Sequence, residues 1–114
     1  MTSVDIGRKA ERAAGTYLEM RGYKVLERNW RRPRCEIDII AEKDGVVHFV
    51  EVKYRRNDDQ GGGLEAITPT KLKQMRYAAT SWLVEAKWPG QSRLAAIELS
   101  GPDFTVLSFL DDIF

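Results

Sequence analysis

The stretch EIDIIAEKDGVVHFVEVKYR, residues 36–55, holds two apolar runs on either side of Asp44-Gly45. Asp-Gly is a preferred pair for a two-residue hairpin turn, in which both central residues take positive φ. The runs therefore read as antiparallel strands, Glu36–Ala41 and Val46–Tyr54. With Asp44-Gly45 as the turn, Lys43 faces Val46, and the residue numbers of every opposed pair add to 89. Asp38 then faces Glu51, and Glu36 faces Lys53. Directly opposed residues share a sheet face, with Cβ atoms about 4.5–5.5 Å apart. A four-residue turn would slide the pairing by two and leave Asp38 and Glu51 as same-face neighbours. A three-residue turn with a bulge would upset the alignment.

Like charges directly opposite each other are destabilising. Placing Glu51 and Lys53 inside an apolar run is also costly unless they are paired or bind something. Two interpretations remain open at this point. In one, Asp38 and Glu51 share a proton or hold a cation. A hard divalent ion such as Mg²⁺ takes oxygen ligands of this kind together with substrate phosphate. Lys53, two residues beyond Glu51, projects from the same face and adds electrostatic stabilisation for a phosphodiester. In the other, the residues form a surface ladder, a Glu36–Lys53 salt bridge beside a tolerated Asp38–Glu51 clash.

Outward from the hairpin, Ile6–Arg21 repeats Ile6, Ala10, Ala13, Ala14, Tyr17 and Leu18 at helical spacing, and Gly22 stands where a helix C-terminal glycine belongs. Lys24–Trp30 follows as a strand. Residues 55–67 include Gly61-Gly62-Gly63 and read as a mobile Gly-rich loop, in which Asp58 and Asp59 are solvated. Thr68-Pro69 starts a second helix, whose apolar face carries Leu72, Met75, Ala79, Leu83 and Ala86 to about Lys87. Trp88-Pro89-Gly90 ends it. Leu94–Leu99 and Phe104–Phe109 complete the order helix, three strands, helix, two strands. One α/β domain with a mixed central sheet flanked by helices is expected over residues 1–114.

Composition sets the broad class. Hydrophobic content of 43% and charged content of 31% fit a globular chain rather than a disordered one. A single cysteine, Cys35, excludes an intrachain disulfide and a Cys-rich zinc site. The first residues lack the apolar core of a signal peptide, and no apolar run approaches membrane-spanning length. A cytoplasmic protein without membrane contact is expected. The net charge of +1 is unevenly spread: residues 1–56 hold 13 basic and 9 acidic side chains, residues 57–114 hold 5 and 8. The N-terminal half is where a polyanion would be met. Its densest basic segment is RNWRRPR, with Arg28, Arg31, Arg32 and Arg34 around Trp30. Arginine suits bidentate phosphate contact and Trp can stack on a base. The alternative is a solvated basic loop with the Trp folded onto the core. Lys71, Lys73 and Arg76 lie off the apolar face of the second helix, as phosphate contacts or as solubilising charges. His48, on the face opposite Glu51, reads as a packed or edge histidine.

Asp38, twelve residues of spacer and Glu51-Val52-Lys53 resemble the PD-(D/E)XK nuclease signature. Together with Gly7, Glu11, Ala14, Gly22-Tyr23, Asn29-Trp30-Arg31, Glu36-Ile37-Asp38-Ile39-Ile40, Phe49-Val50 and Arg55, the chain resembles the YraN-like family of uncharacterised bacterial proteins from about Gly7 to Leu99. That family is related to restriction endonucleases and archaeal Holliday-junction resolvases. The resemblance implies a restriction-endonuclease-like core and a Mg²⁺- or Mn²⁺-dependent DNA endonuclease, including one acting on branched or flapped DNA. It implies Asp38 and Glu51 as metal ligands, the Val52 carbonyl as a third, and Lys53 as the group that positions or activates water. It also implies that Glu11 completes the site. From its position alone, Glu11 is equally a boundary residue paired with Arg8 or Arg12. Arg55, Lys71 and Lys73 join the arginine segment as expected nucleic-acid contacts, and homodimerisation is left open. Two positions depart from the family pattern: Cys35 replaces a glycine, where a side chain narrows the groove or shifts the strand start. Ala95 replaces an aspartate, which lowers activity if that acid supports substrate or metal binding. A binding module that has lost its chemistry, or a protein-interaction domain on the same surface, are the alternatives to a nuclease.

Overall fold

The computed structural model describes residues 2–55 and 67–113. Its elements are α1 (Ser3–Met20), β1 (Lys24–Arg32), β2 (Cys35–Lys43), β3 (Val46–Arg55), α2 (Pro69–Ala86), β4 (Gln91–Ser100) and β5 (Thr105–Leu110). The element order is the expected one. The Gly-rich loop expected at 55–67, with Asp58 and Asp59, lies almost wholly outside the described residues.

Asp44 and Gly45 both have positive φ, 53° and 78°, which makes the two-residue hairpin turn. The ladder from Lys43↔Val46 to Ile39↔Val50 follows the register that this turn dictates. The five strands stand in the order β1-β2-β3-β4-β5. All neighbours are antiparallel except β3 and β4, which run parallel because α2 returns the chain between them.

Each helix covers one sheet face. Ala10, Ala14 and Leu18 of α1 pack on Ile39, Ala41, Val50 and Ile97. Met75, Ala78, Ala79 and Trp82 of α2 pack on Ile40, Val47, Phe49 and Leu94. Thr2 caps α1 by accepting from Asp5 N at 3.1 Å, and Thr68 caps α2 by accepting from Lys71 N at 3.1 Å. Past α2, Lys87 takes the left-handed conformation and closes the helix. The inward face of α2 differs from expectation at one end. Ala86 is exposed, and Trp82 is buried in its stead. The Trp82 indole N–H donates to Glu27 Oε2 at 2.6 Å, so the large ring finds both apolar contact and a partner for its one donor.

This is a single α/β domain with a five-stranded mixed sheet between two helices, consistent with a restriction-endonuclease-like fold. No helix among the described residues is long and apolar enough to cross a membrane.

Candidate functional site

The site begins with a break in strand alternation. By simple alternation Trp30 would share a face with Arg28, and Ile37 with Ile39. Instead Trp30 and Ile37 pack on the α2 side, whereas Ile39 packs on the α1 side. Arg28 also lies on the α1 side, across Gly15. The flip occurs at Asn29, whose φ is 51°. Asn29 stands across from Asp38, between the pairs Arg28↔Ile39 and Trp30↔Ile37. Asn tolerates the left-handed region better than most side chains.

On the other edge of β2, the ladder to β3 ends at Ile39↔Val50. A continued ladder would offer the Val52 N–H to a β2 carbonyl. Val52 N donates instead to Asp38 Oδ2 at 2.8 Å. The Asp38 carboxylate therefore stands in the gap where the two strands part. An extended residue presents its N–H and C=O to the same edge, so the Val52 carbonyl faces this gap too.

Glu51 enters from the α2 layer. Its side chain is 14% exposed, and Lys71 Nζ lies 3.2 Å from its Oε2. Glu11, half-buried on α1, bears on Asp38 from the other layer. Burial pushes the Asp38 carboxyl up to about 7, and the Glu51 charge adds to it. Glu11 and a hydrogen bond shared with Glu51 push the same way, against the Val52 N–H. Lys53 follows Glu51 on the same face and stands level with Glu98 of β4. Glu98 is buried and accepts from Arg55 Nε at 3.0 Å. Asp38 thus stands in the strand gap, with the Glu11 charge bearing on it from α1 and Glu51, followed on its face by Lys53, lying toward α2.

Neither proposed salt-bridge arrangement forms. Glu36 pairs with Arg31 at 3.4 Å rather than with Lys53, and among the described residues no ion pair joins Glu11 to Arg8 or Arg12. His48 is buried, as its place opposite Glu51 suggests. Its Nδ1 lies 3.2 Å from the Val46 carbonyl, and burial lowers its basicity.

The arginine segment is not one surface. Arg31 and Arg32 continue β1 by pairing with Glu36 and Cys35 of β2, so the expected loop is mostly strand. Trp30 is 5% exposed, with the Arg32 guanidinium 4.5 Å from its ring centre. The ring thus belongs to the core, and its face is already covered. Arg32 is further held by Glu85, Nε to Oε2 at 2.8 Å. Arg34 turns to a different place, a cleft of about 510 Å³ shared with Cys35, Glu36, Lys71, Lys73 and Tyr77.

Three participants escaped the sequence reading. Asn29 had a signal, an asparagine inside a strand-forming run. Glu98 had one as well, since an acid in the apolar run LAAIELS needs a partner for the same reason as Glu51. The Lys71–Glu51 pair had none, because only the packing of α2 on the sheet brings the two together.

Among the described residues no three His, Cys, Asp or Glu side chains already stand in metal-binding geometry. The oxygen donors around the gap nonetheless suit a hard divalent cation in kind.

The family model of the uncharacterised protein family UPF0102 matches residues 10–99. The chain is 42% identical over 102 residues to a UPF0102 protein of Chlorobium phaeobacteroides (strain BS1), covering 89% of this chain and 81% of that one. It is 32% identical over 106 residues to one from Cytophaga hutchinsonii, covering 93% and 94%. A UPF0102 protein of Mycolicibacterium vanbaalenii is 41% identical over 95 residues, covering 83% and 77%. These matches span both layers and the strand gap, and the chain belongs to the uncharacterised protein family UPF0102.

Proposed function

We propose that this protein is a divalent-metal-dependent hydrolase of DNA phosphodiester bonds, built on the PD-(D/E)XK plan. One observation carries the proposal. The Asp38 carboxylate stands in the gap between β2 and β3, accepting from Val52 N at 2.8 Å, where burial and then the nearby Glu51 and Glu11 charges hold it up to about 7. Structural ion-pair networks also shift carboxylates, but they do so by pairing them with cations. Asp38 instead faces two further acids, an arrangement that a bound cation relieves. Asp38, Glu51 and the Val52 carbonyl would hold Mg²⁺ or Mn²⁺. Such an ion supplies charge neutralisation at the phosphate and an activated water.

The chain's own groups have definable parts. Asp38 would have to give up its proton to hold a cation, so affinity would rise with pH through about 7. Glu51 would have to leave Lys71 to take a cation, and the ammonium, which already lines the cleft with Arg34 and Lys73, would then be available to a nucleic-acid backbone there. Lys53, on the face of Glu51, stabilises charge on the phosphoryl oxygens or orients the attacking water.

A non-catalytic DNA-binding module is the second reading. The Glu51–Lys71 pair favours it, because the pair satisfies one of the carboxylates without a metal. Cleavage separates the two. Duplex, single-stranded and branched DNA are each incubated with the protein in Mn²⁺, in Mg²⁺ and in EDTA. Metal-dependent cutting of at least one form, lost in Lys53→Ala, is the expected result. Binding without cutting by the parent chain supports the module instead.

A further inference from the structure

A second cleft, about 410 Å³, opens on the α1 side of the sheet and is lined by Arg8, Glu11, Arg12, Arg28 and Asn29. Arg8 and Arg12 are four residues apart and so neighbours on α1. Among the described residues neither forms an ion pair. Arg28 reaches the cleft by lying across α1 at Gly15. A Cβ at Gly15 would collide with the Arg28 guanidinium. Gly inside a helix weakens it relative to Ala, and here the missing methyl group leaves room for that side chain. Among the described residues the one ion pair of Arg28 is with Glu19, at 4.0 Å and on the limit of such a pair. Among the described residues Glu11 is the one carboxylate lining the cleft, and its charge also bears on Asp38.

We infer that Arg8, Arg12 and Arg28 form a seat for a DNA backbone phosphate, adjoining the phosphate that meets Asp38. This rests on the nuclease reading for its second half only; the seat itself requires just that the protein binds DNA. Guanidinium groups match phosphate oxygens in a bidentate fork. Glu11 links the seat to the strand gap, so a strand held here would reach Asp38 from the α1 layer. Arg34 and Lys73 would then meet the backbone from the α2 layer.

The test is the salt dependence of DNA binding in EDTA, where no cutting complicates the titration. Fluorescence anisotropy of labelled duplex and branched DNA is followed for the parent, R8Q/R12Q, R28Q and G15A. Each lost phosphate contact lowers the slope of log affinity against log salt by about 0.9. R8Q/R12Q is expected to lose about two contacts and R28Q about one. G15A changes no charge, yet it displaces Arg28 and is expected to match R28Q while melting no lower than the parent. If the parent binds DNA and R8Q/R12Q keeps the parent slope, the seat is refuted and the nuclease reading stands on its own cleavage assay. If the parent cuts nothing with Mn²⁺ yet R8Q/R12Q loses slope, the seat stands and the nuclease reading falls. A parent that binds no DNA overturns the seat.

Discussion

Asp38→Asn should stabilise this protein at alkaline pH and not at acid pH. The Asp38 carboxyl ordinarily titrates near 3.8, and in the folded chain it is pushed up to about 7. The folded state therefore binds a proton more tightly than the unfolded state does. Its stabilising contribution is fully present below about 3.8 and is lost as pH rises through about 7. Each pH unit of that interval is worth about 1.4 kcal/mol, so the ceiling is about 4 kcal/mol. Asp38 is half-buried, and the nearby Glu51 charge contributes to its shift. Discounting for both leaves about 1–2 kcal/mol. Asparagine keeps an oxygen to accept the Val52 N–H and carries no charge. The variant should therefore gain about 1–2 kcal/mol over the parent at pH 8.5, or roughly 4–8 °C in melting temperature for a chain of this length. At pH 4 the difference should vanish. Urea unfolding of both proteins at half-unit steps from pH 4 to 8.5 measures it. A difference that does not change with pH, or a variant less stable at pH 8.5, would refute the claim that like charge and burial hold this carboxyl up.

Asn29→Gly should leave stability within about 1 kcal/mol of the parent, whereas Asn29→Ala should lose about 1–2 kcal/mol, because φ at this position is 51°; calorimetric melting compares them. Arg55→Met should cost about 2–3 kcal/mol by stranding the buried Glu98 carboxylate. Adding Glu98→Gln should recover part of that loss in urea titrations at pH 7. Lys53→Ala should abolish cleavage and leave Mn²⁺ affinity within about twofold, since an ammonium is not a ligand; gel assays and calorimetry read the two effects separately. Lys71→Gln should tighten Mn²⁺ binding by about two- to fivefold by releasing Glu51 from its partner, and unchanged affinity would show that the pair does not compete with the ion.

The hairpin was legible because Asp44-Gly45 leaves one natural register, and the ladder keeps that register from Lys43↔Val46 to Ile39↔Val50. The start of α2 was legible for a similar local reason: Thr68 and Pro69 carry their geometry in their own covalent structure, whereas α1 begins at Ser3, three residues before the expected Ile6. Strand ends were less so. Arg31 and Arg32 look like loop until β2 supplies Glu36 and Cys35 as partners. The arginine segment misled because alternation sends successive side chains to different neighbours, and the turn at Asn29 reverses the pattern again. Trp30 consequently lies in the core and Arg28 on the far face. The expected opposition of Asp38 and Glu51 extrapolates the period-two ladder one pair past Ile39↔Val50, where the observed ladder ends. The parting of the strands there was not legible, since it depends on Asn29 and on the Asp38 side chain replacing a backbone acceptor.

The central claim is that Asp38 and Glu51 hold a divalent cation, and the most direct test is Mn²⁺ calorimetry near neutral pH in several buffers of different ionisation enthalpy. The prediction is one binding site with release of up to one proton, largest below pH 7, because Asp38 must deprotonate to bind. Asp38→Asn should abolish the proton release and weaken binding at least tenfold, and Glu51→Gln should weaken it similarly. No binding heat in the parent, or binding that releases no proton and is indifferent to both substitutions, would contradict the account.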